Sequence, residues 1–357
     1  MIQTLGSRRI RVLGRCTEDG GMLWMVTSLS EAGFRVTGAT EVRLRLRADD
    51  SVTDPGRRDI RPRYAVRLDG EKIADARMAA EEETVTVFRS PEPRTAEVRL
   101  IKLSEGTQSL LALREIVTDG DVAPLPEREK RIEFIGDSIT AGYGVETPNP
   151  EEGFTTATEN AEKSYAALTA DALGMDRTLT CFSGHGIVSG YTGDPTVRNG
   201  SELVPPYYEA TGRNGFRLPS GRTVSEIPWD FSAFRPDIIV INLGTNDLSW
   251  TNGDPEREAE YRKEYAAFLK TVRRHNPQAR IVCVLGLMGG QLNGSMTAAV
   301  GDYRRETGDR NIHSFTVAEQ DGERNGYGAN YHPSEKTQRL FAETVTAEIK
   351  KMEDMNP

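Results

Sequence analysis

A serine and a histidine stand in surroundings that suit a nucleophile and its base. Ser138 lies in Gly136-Asp137-Ser138, directly after the apolar run 132–135 and before further glycines. This pattern predicts a strand that ends at a glycine and presents the serine at the carboxyl edge of a parallel sheet, where α/β proteins bind ligands. A neutral hydroxyl attacks an ester well only when a nearby base, usually an imidazole, accepts its proton.

His332 is the candidate base. It precedes Pro333, which suits the first turn of a helix, so the imidazole is expected in a loop at a helix start. Two other histidines have simpler interpretations, since His275 ends a helical pattern, where a cation suits the helix dipole, and His313 begins a strand-like run. His185, between two glycines, is expected to lie close to the site.

Two further segments contain hydrogen-bond donors for a developing oxyanion. Residues 183–187 and 242–247 each accompany an apolar run, so both are expected at the carboxyl ends of strands. A glycine N–H, a side-chain amide and the N–H of Ser138 would together stabilise a tetrahedral intermediate. We expect Gly186 and Asn246 to supply the first two donors. Taken alone, residues 244–247 are also typical of an ordinary turn after a strand.

The elements that would position these residues begin near Arg131. Apolar strand-like runs alternate there with helical periodicity, which predicts an α/β fold with a parallel sheet covered by helices. The runs are residues 132–135, 238–243 and 281–287, and the helical stretches are residues 161–173, 256–274 and 334–352. Residues 192–227, rich in Gly, Pro and Arg, are expected to form a surface insertion near the site.

The chain before this point shows a different pattern. Short runs with partial alternation, separated by turn-prone residues, occur at residues 43–47, 64–68, 84–88 and 96–101. With Asp69-Gly70 as a hairpin signal, they predict an all-β antiparallel sandwich of the jelly-roll type. Prolines make residues 121–126 a stiff connector. We therefore expect a β-sandwich domain of residues 1–125 and a hydrolase domain of residues 126–357.

Composition excludes several classes of protein. The 357 residues are 37% hydrophobic and 28% charged, as in a soluble globular enzyme, and the net charge of −9 without a long Lys/Arg run argues against nucleic acid or anionic lipid as the main partner. Cys16, Cys181 and Cys283 indicate neither a disulfide framework nor a zinc site. No apolar stretch approaches a membrane span, and the N-terminus lacks the apolar region of a signal peptide. A cytoplasmic protein is expected, or a secreted one if a signal was removed.

Together these motifs resemble those of the SGNH (GDSL-type) hydrolases and, more narrowly, carbohydrate esterase family two. The matching segments are Ile135-Gly136-Asp137-Ser138-Ile139-Thr140-Ala141-Gly142-Tyr143-Gly144, Trp229-Asp230-Phe231 with Pro236-Asp237, Asn242-Leu243-Gly244-Thr245-Asn246-Asp247 and Tyr331-His332-Pro333-Ser334. The resemblance implies a jelly-roll domain before a three-layer α/β/α hydrolase domain. It assigns Ser138 as nucleophile, His332 as base, and Gly186 and Asn246 as oxyanion donors, with Gly184 as the alternative glycine.

One position departs from the family pattern. Many members carry Asp two residues before the histidine, where this sequence has Asn330. An amide oxygen can orient the imidazole but stabilises the imidazolium less well than a carboxylate, so a slower Ser-His dyad is expected. Some relatives orient the histidine through a backbone carbonyl instead.

The resemblance also implies the reaction: removal of acetyl groups from hemicellulose-derived polysaccharides or oligosaccharides, such as xylan and mannan, through an acyl-enzyme and without a metal or organic cofactor. Tyr331 and Trp250 are candidates for stacking on a sugar ring, with core packing as the alternative role. The other functions that the sequence leaves open are a general small-acyl esterase or lipase, and a carbohydrate-binding relative that has lost turnover. No oligomeric state is predicted.

Overall fold

The structure, a computed structural model, describes residues 2–3 and 9–355. The strands of its first sheet are β1 (Ile2–Gln3), β2 (Arg11–Leu13), β3 (Cys16–Asp19), β4 (Met22–Met25), β5 (Glu31–Ala48), β6 (Arg63–Leu68), β7 (Glu71–Arg77), β8 (Glu82–Lys102), β9 (Leu111–Thr118) and β10 (Asp121–Pro124). The strands of the second sheet are β11 (Arg131–Gly136), β12 (Asp176–Cys181), β13 (Ile238–Asn242), β14 (Arg280–Leu285) and β15 (Ile312–Thr316). The α-helices are α1 (Ser138–Ala141), α2 (Tyr165–Leu173), α3 (Pro205–Tyr208), α4 (Thr245–Thr251), α5 (Pro255–His275), α6 (Asn293–Thr307), α7 (Gly322–Asn325) and α8 (Glu335–Met355).

The first sheet is antiparallel, in the order β3-β4-β9-β5-β8-β6-β7, with β1 beside β9 and with β2 and β10 beside β5. Bulges between β5 and β8 let the two long strands bend, and the sheet encloses a core in which Phe34, Leu44 and Val98 are fully buried. The predicted jelly-roll-like domain is therefore confirmed.

Local signals in this domain were correct in part. Asp69-Gly70 joins β6 to β7 with a positive φ at both residues, as a tight hairpin turn requires. The runs 84–88 and 96–101, predicted as separate strands, both lie within β8 because the proline-containing segment between them stays extended. The predicted connector is also wrong in part, since Asp121–Pro124 is a strand that pairs with β5.

The second sheet is parallel, in the order β12-β11-β13-β14-β15. Successive apolar side chains point to opposite faces, so Phe134 packs with Tyr165 of α2 whereas Ile135 packs with Tyr261 of α5. Helices α2 and α8 cover one face, and α5 and α6 cover the other. The parallel sheet covered by helices, predicted from periodicity, is confirmed, as is the three-layer α/β/α architecture that the resemblance implied. Within the described residues, no helix is both long and apolar enough to cross a bilayer.

The strand order places the carboxyl ends of β11 and β13 at a topological switch point. The chain leaves β11 through α2 to reach β12 on one side, and it returns on the other side of β11 as β13. Crossover connections that diverge in this way leave a crevice at the carboxyl edge, where ligands bind in open α/β sheets.

Residues 192–227, expected to be a surface insertion, also contribute to the core. Val204 and Tyr208 are completely buried against the second sheet, and Phe216 packs on Trp24 of the first domain with ring centroids 5.4 Å apart. The widely spaced apolar residues have no helical or strand period, which explains why the sequence pattern indicated only a loop.

Candidate active site

Ser138 occupies the first position of α1, immediately beyond β11. Asp137 caps this helix, with its Oδ1 accepting a hydrogen bond from the N–H of Ile139 at 3.0 Å. Gly136 is required at the end of the strand, because a Cβ there would lie 2.0 Å from the Thr140 hydroxyl. The N–H of Ser138 has no acceptor within residues 9–355, as expected at a helix start, and it is free to meet a substrate oxygen.

His332 approaches Ser138 from the loop before α8. Its Nε2 lies 2.9 Å from the Ser138 Oγ, a hydrogen-bonding distance. Two consecutive residues in the left-handed region, Asn330 with φ +47° and Tyr331 with φ +59°, turn the chain sharply just before the histidine. The structure thus brings together the predicted nucleophile and base, which are 194 residues apart in the chain.

Main-chain carbonyls orient the imidazole. The His332 Nδ1 lies 3.1 Å from the carbonyl oxygen of Ala329 and 3.2 Å from that of Asn330. These acceptors favour the tautomer with hydrogen on Nδ1, which leaves the Nε2 lone pair facing the Ser138 hydroxyl. The predicted role of the Asn330 amide oxygen is therefore wrong, because the left-handed turn directs that side chain to Tyr143, whose hydroxyl accepts from Nδ2 at 2.6 Å.

The surroundings of His332 keep the ring neutral. Tyr143 stacks on the imidazole, with ring centroids 4.0 Å apart and planes 23° from parallel. Burial lowers the pKa of His332 to about 4, against the smaller opposing effect of the two carbonyl contacts. An imidazole that is unprotonated near neutral pH can accept a proton from Ser138. Tyr143 was quoted among the family motifs, but its contact with the histidine was not predicted.

Gly184, rather than Gly186, faces the cavity in front of Ser138. The N–H of Gly186 already donates to the carbonyl of Glu202 at 3.1 Å, so the choice of Gly186 as an oxyanion donor is wrong. Gly184 has φ +77°, and its N–H has no acceptor in the described chain. The two glycines are only two residues apart, and sequence spacing could not show which N–H is free.

Asn246 lies in the first turn of α4 and lines the same cavity as Ser138. Its Nδ2 donates to the carbonyl of His185 at 2.9 Å and approaches the Asp137 Oδ2 at 3.3 Å. Both amide hydrogens therefore have protein acceptors, and the oxyanion role of Asn246 stays a prediction. Burial raises the pKa of Asp137 to about 7, so that carboxyl is partly protonated near neutral pH.

Asp247 holds the loop after β12, a role that was not predicted. Its Oδ1 accepts hydrogen bonds from the N–H groups of Ile187, Val188 and Ser189 at 2.7–3.1 Å. Three donors offset part of the cost of burying this carboxylate, although burial still raises the pKa of Asp247 to about 6. The only sequence signal was its place directly after Asn246 at a strand end.

The cavity in front of the Ser138–His332 pair has a volume of about 690 Å³. Its lining residues are Ser138, Tyr143, Ser183, Gly184, Tyr191, Thr245, Asn246, Leu248, Ser249, Met288, Asn330, Tyr331 and His332. Tyr331 is 49% exposed at its rim, held by a hydrogen bond to Glu151, and Tyr191, which was not predicted, is 63% exposed. A sugar-stacking role for Trp250 is wrong, because its ring is buried between Arg198 and Arg257.

Similarity to known proteins extends over both domains. Residues 132–345 match the family described as GDSL-like lipase/acylhydrolase. The chain is 36% identical over 271 residues to the cellulase/esterase CelE of Acetivibrio thermocellus. The aligned region covers 74% of this chain but only 30% of CelE. It is 30% identical over 292 residues to an acetylxylan esterase/glucomannan deacetylase of Cellvibrio japonicus, covering 80% of this chain and 75% of that protein.

A solved structure supports the same relationship. A family two carbohydrate esterase from Clostridium thermocellum, in complex with cellohexaose, is 30% identical with a TM-score of 0.81, covering 96% of this chain and 98% of the other. The resemblance to SGNH hydrolases and family two carbohydrate esterases, inferred from the motifs, is confirmed. The chain belongs to the GDSL-like lipase/acylhydrolase family.

Proposed function

We propose that this chain is a carbohydrate O-acetyl esterase whose reaction depends on Ser138 and His332. The 2.9 Å contact between Ser138 Oγ and His332 Nε2, beside the free N–H groups of Ser138 and Gly184 in one cavity, is the observation that carries the proposal. This arrangement supplies a nucleophile, its base and donors for an oxyanion, which are the components of acyl transfer.

In the first half of the reaction, the Ser138 oxygen bonds to the acetyl carbonyl carbon while His332 Nε2 takes the hydroxyl proton. The negative carbonyl oxygen receives hydrogen bonds from the N–H groups of Ser138 and Gly184, and Asn246 joins them if its amide turns from Asp137. When the intermediate collapses, the bond to the sugar oxygen breaks and His332 returns its proton to that oxygen. The products are an acetyl-enzyme and a free sugar hydroxyl.

In the second half, water attacks the acetyl-enzyme. His332 takes one proton from the water, the same donors stabilise the second oxyanion, and the Ser138 oxygen leaves and regains the proton. Acetate is released and the dyad returns to its initial state. Each proton passes through His332, whose Nδ1–H stays on the Ala329 and Asn330 carbonyls.

Carbohydrate is the substrate class that fits best. The names of the relatives include acetylxylan esterase/glucomannan deacetylase, and the solved neighbour is described in complex with cellohexaose. Tyr331 and Tyr191 stand exposed at the rim of the cavity, and aromatic faces of this kind suit the apolar faces of sugars. Acetylated xylan, mannan and their oligosaccharides are therefore the proposed substrates, and the cytoplasmic location stays a prediction.

The test compares the wild-type chain with Ser138→Ala on acetylated xylan, acetylated glucomannan and p-nitrophenyl acetate. Acetate release by the wild-type protein and its loss in the variant are expected. NMR of each polysaccharide during digestion identifies the acetyl groups removed. Faster turnover of long-chain acyl esters than of acetyl esters would indicate a lipase instead, and absence of wild-type turnover with retained sugar binding would indicate a binding protein.

A further inference from the structure

A carboxylate from the first domain reaches the loop that carries Gly184. Glu105 lies in the connection between β8 and β9 and is completely buried. Its Oε2 accepts a hydrogen bond of 2.8 Å from the N–H of Ser183, the residue directly before Gly184. The first domain therefore contacts the segment from which an oxyanion donor projects.

The Ser183 contact defines the position of the neighbouring peptide. The carbonyl of Ser183 is 2.8 Å from the His185 Nδ1, and the carbonyl of Gly184 accepts from the N–H of Tyr191 at 2.8 Å. Glu105 holds the N–H of Ser183, so the direction of the Gly184 N–H depends on three contacts. Without the carboxylate, the N–H of Ser183 would be left with no acceptor among the described residues.

Glu105 itself is rigidly placed. A Cβ on the adjacent Gly106 would lie 2.4 Å from the carbonyl oxygen of Val26, so the two backbones are in close contact. The carbonyl of Gly106 accepts from the Asn214 amide at 2.6 Å, and Gln108 donates to the Glu105 Oε1 at 3.2 Å. The backbone beside Glu105 is thus held by both domains, and Gln108 fixes the other oxygen of its carboxylate.

A second carboxyl group and an ammonium group lie buried close to Glu105. Burial raises the pKa of Glu159 well above the ordinary value, and the nearby Glu105 carboxylate raises it further. Burial also lowers the pKa of Lys102 to about 8, which still leaves most of the ammonium charged at neutral pH. A buried ammonium group therefore lies within electrostatic reach of Glu105.

We propose that Glu105 is a positioning residue for ester hydrolysis, through which the β-sandwich domain holds the Ser183-Gly184 peptide and aims the Gly184 N–H at the oxyanion. The inference rests on the proposed function, because it concerns the same reaction. Donors of this kind act mainly in the transition state, so misplacing one lowers kcat more than it changes KM.

The test measures kcat and KM on p-nitrophenyl acetate for Glu105→Ala and Glu105→Gln in the full-length chain. Glu105→Ala is expected to lower kcat by about 10- to 100-fold and to leave KM within about twofold of wild type. This loss of kcat is no larger than the loss expected from removal of a whole oxyanion donor. Glu105→Gln keeps an oxygen for the Ser183 N–H and is expected to recover most of kcat. If Glu105→Ala does not fold, Glu105→Asp takes its place, because its carboxylate is one methylene shorter.

Asp49→Asn is the matched control. Asp49 is also a buried carboxylate of the first domain, but it accepts from the N–H groups of Ser51 and Leu110, away from the cavity. This variant is expected to lose stability while its kcat is unchanged. A folded Glu105→Ala with wild-type kcat, or equal losses of kcat in Glu105→Ala and Asp49→Asn, would refute the positioning role. Failure of the wild-type chain to hydrolyse the ester would refute the proposed function instead.

Discussion

At the scale of single residues, no carboxylate among the described residues accepts a hydrogen bond from the Nδ1 of His332. Carbonyl dipoles of Ala329 and Asn330 fix the tautomer of His332, but they stabilise an imidazolium less than a full negative charge does. Burial lowers the pKa of His332 to about 4, because the two carbonyl contacts raise it too little to compensate. A base whose pKa lies nearer the working pH would accept the serine proton more readily. The site is therefore orientated for catalysis but has a weak base.

The first prediction concerns Asn330→Asp. Because the left-handed turn directs this side chain to Tyr143, the new carboxylate would accept a hydrogen bond from the tyrosine hydroxyl and would not reach the His332 Nδ1. We expect kcat/KM on p-nitrophenyl acetate to stay within about threefold of wild type, a change of less than about 1 kcal/mol. Asn330→Ala removes the contact with Tyr143 and is expected to lower kcat/KM more than Asn330→Asp does.

The pH profile of these variants distinguishes the effect of a negative charge at residue 330 from an effect on the orientation of the His332 ring. His332 must be unprotonated to act as the base, so the wild-type kcat/KM should fall only as the pH drops through about 4. The carboxylate in Asn330→Asp lies close enough to raise the pKa of the imidazole, so its acid limb should move upward towards the ordinary value near 6.5. An increase in kcat/KM of tenfold or more in Asn330→Asp would show that the side chain does reach the ring.

The motifs identified Ser138 and His332 because their neighbours have strong local meaning: a glycine that ends a strand, and a proline two residues before a helix. They could not identify the orienting group or the free glycine N–H. Those depend on the left-handed φ of Asn330 and on which carbonyl takes the N–H of Gly186. No residue type dictates the left-handed φ of Asn330 or the acceptor of the Gly186 N–H. Non-glycine residues adopt such φ values only when the surrounding structure imposes them.

At the scale of elements, the loop after β12 depends on a neighbouring helix. Asp247 in the first turn of α4 accepts three successive N–H groups from residues 187–189, and this contact ties the Gly184 loop to the end of β13. Most of the parallel strands and covering helices were predictable from their apolar periodicity, although α6 was not predicted. The contact of Asp247 with residues 187–189 was not predictable, because a single aspartate in a turn has many ordinary roles.

The second prediction is that Asp247→Ala lowers kcat by at least about tenfold, because three buried N–H groups lose their acceptor and the loop that carries Gly184 moves. The measurement is steady-state kinetics on p-nitrophenyl acetate together with hydrogen exchange of the 187–189 amides, which should become less protected. Asp254→Ala, which removes the N-cap of α5, is the control and should cost about 1 kcal/mol of stability without changing kcat. Unchanged exchange at 187–189 would contradict the argument.

At the scale of the whole molecule, buried polar contacts join the two domains. Arg15 of the first domain is fully buried in the second, where it donates to the carbonyls of Tyr208 and Ala210 at 2.5 and 2.6 Å and lies 3.3 Å from the Glu133 carboxylate. Its guanidinium also lies 5.3 Å from the ring centre of Trp229. The sequence indicated two domains, but the partners of Arg15 come from distant segments and no local pattern links them.

The last prediction follows from this burial. Arg15→Met leaves Glu133 without its only cation among the described residues, and the loss of one partner from a buried pair costs about 3–5 kcal/mol. Urea denaturation should show a free energy of unfolding lower by about that amount, and the double variant with Glu133→Gln should recover part of it because the unpaired charge is gone. Arg45→Met breaks a partly exposed pair with Glu115 and should cost less than about 1 kcal/mol. Equal losses of unfolding free energy in Arg15→Met and Arg45→Met would show that the buried pair does not join the domains. A two-step unfolding transition in Arg15→Met alone would show that Arg15 makes the two domains unfold together.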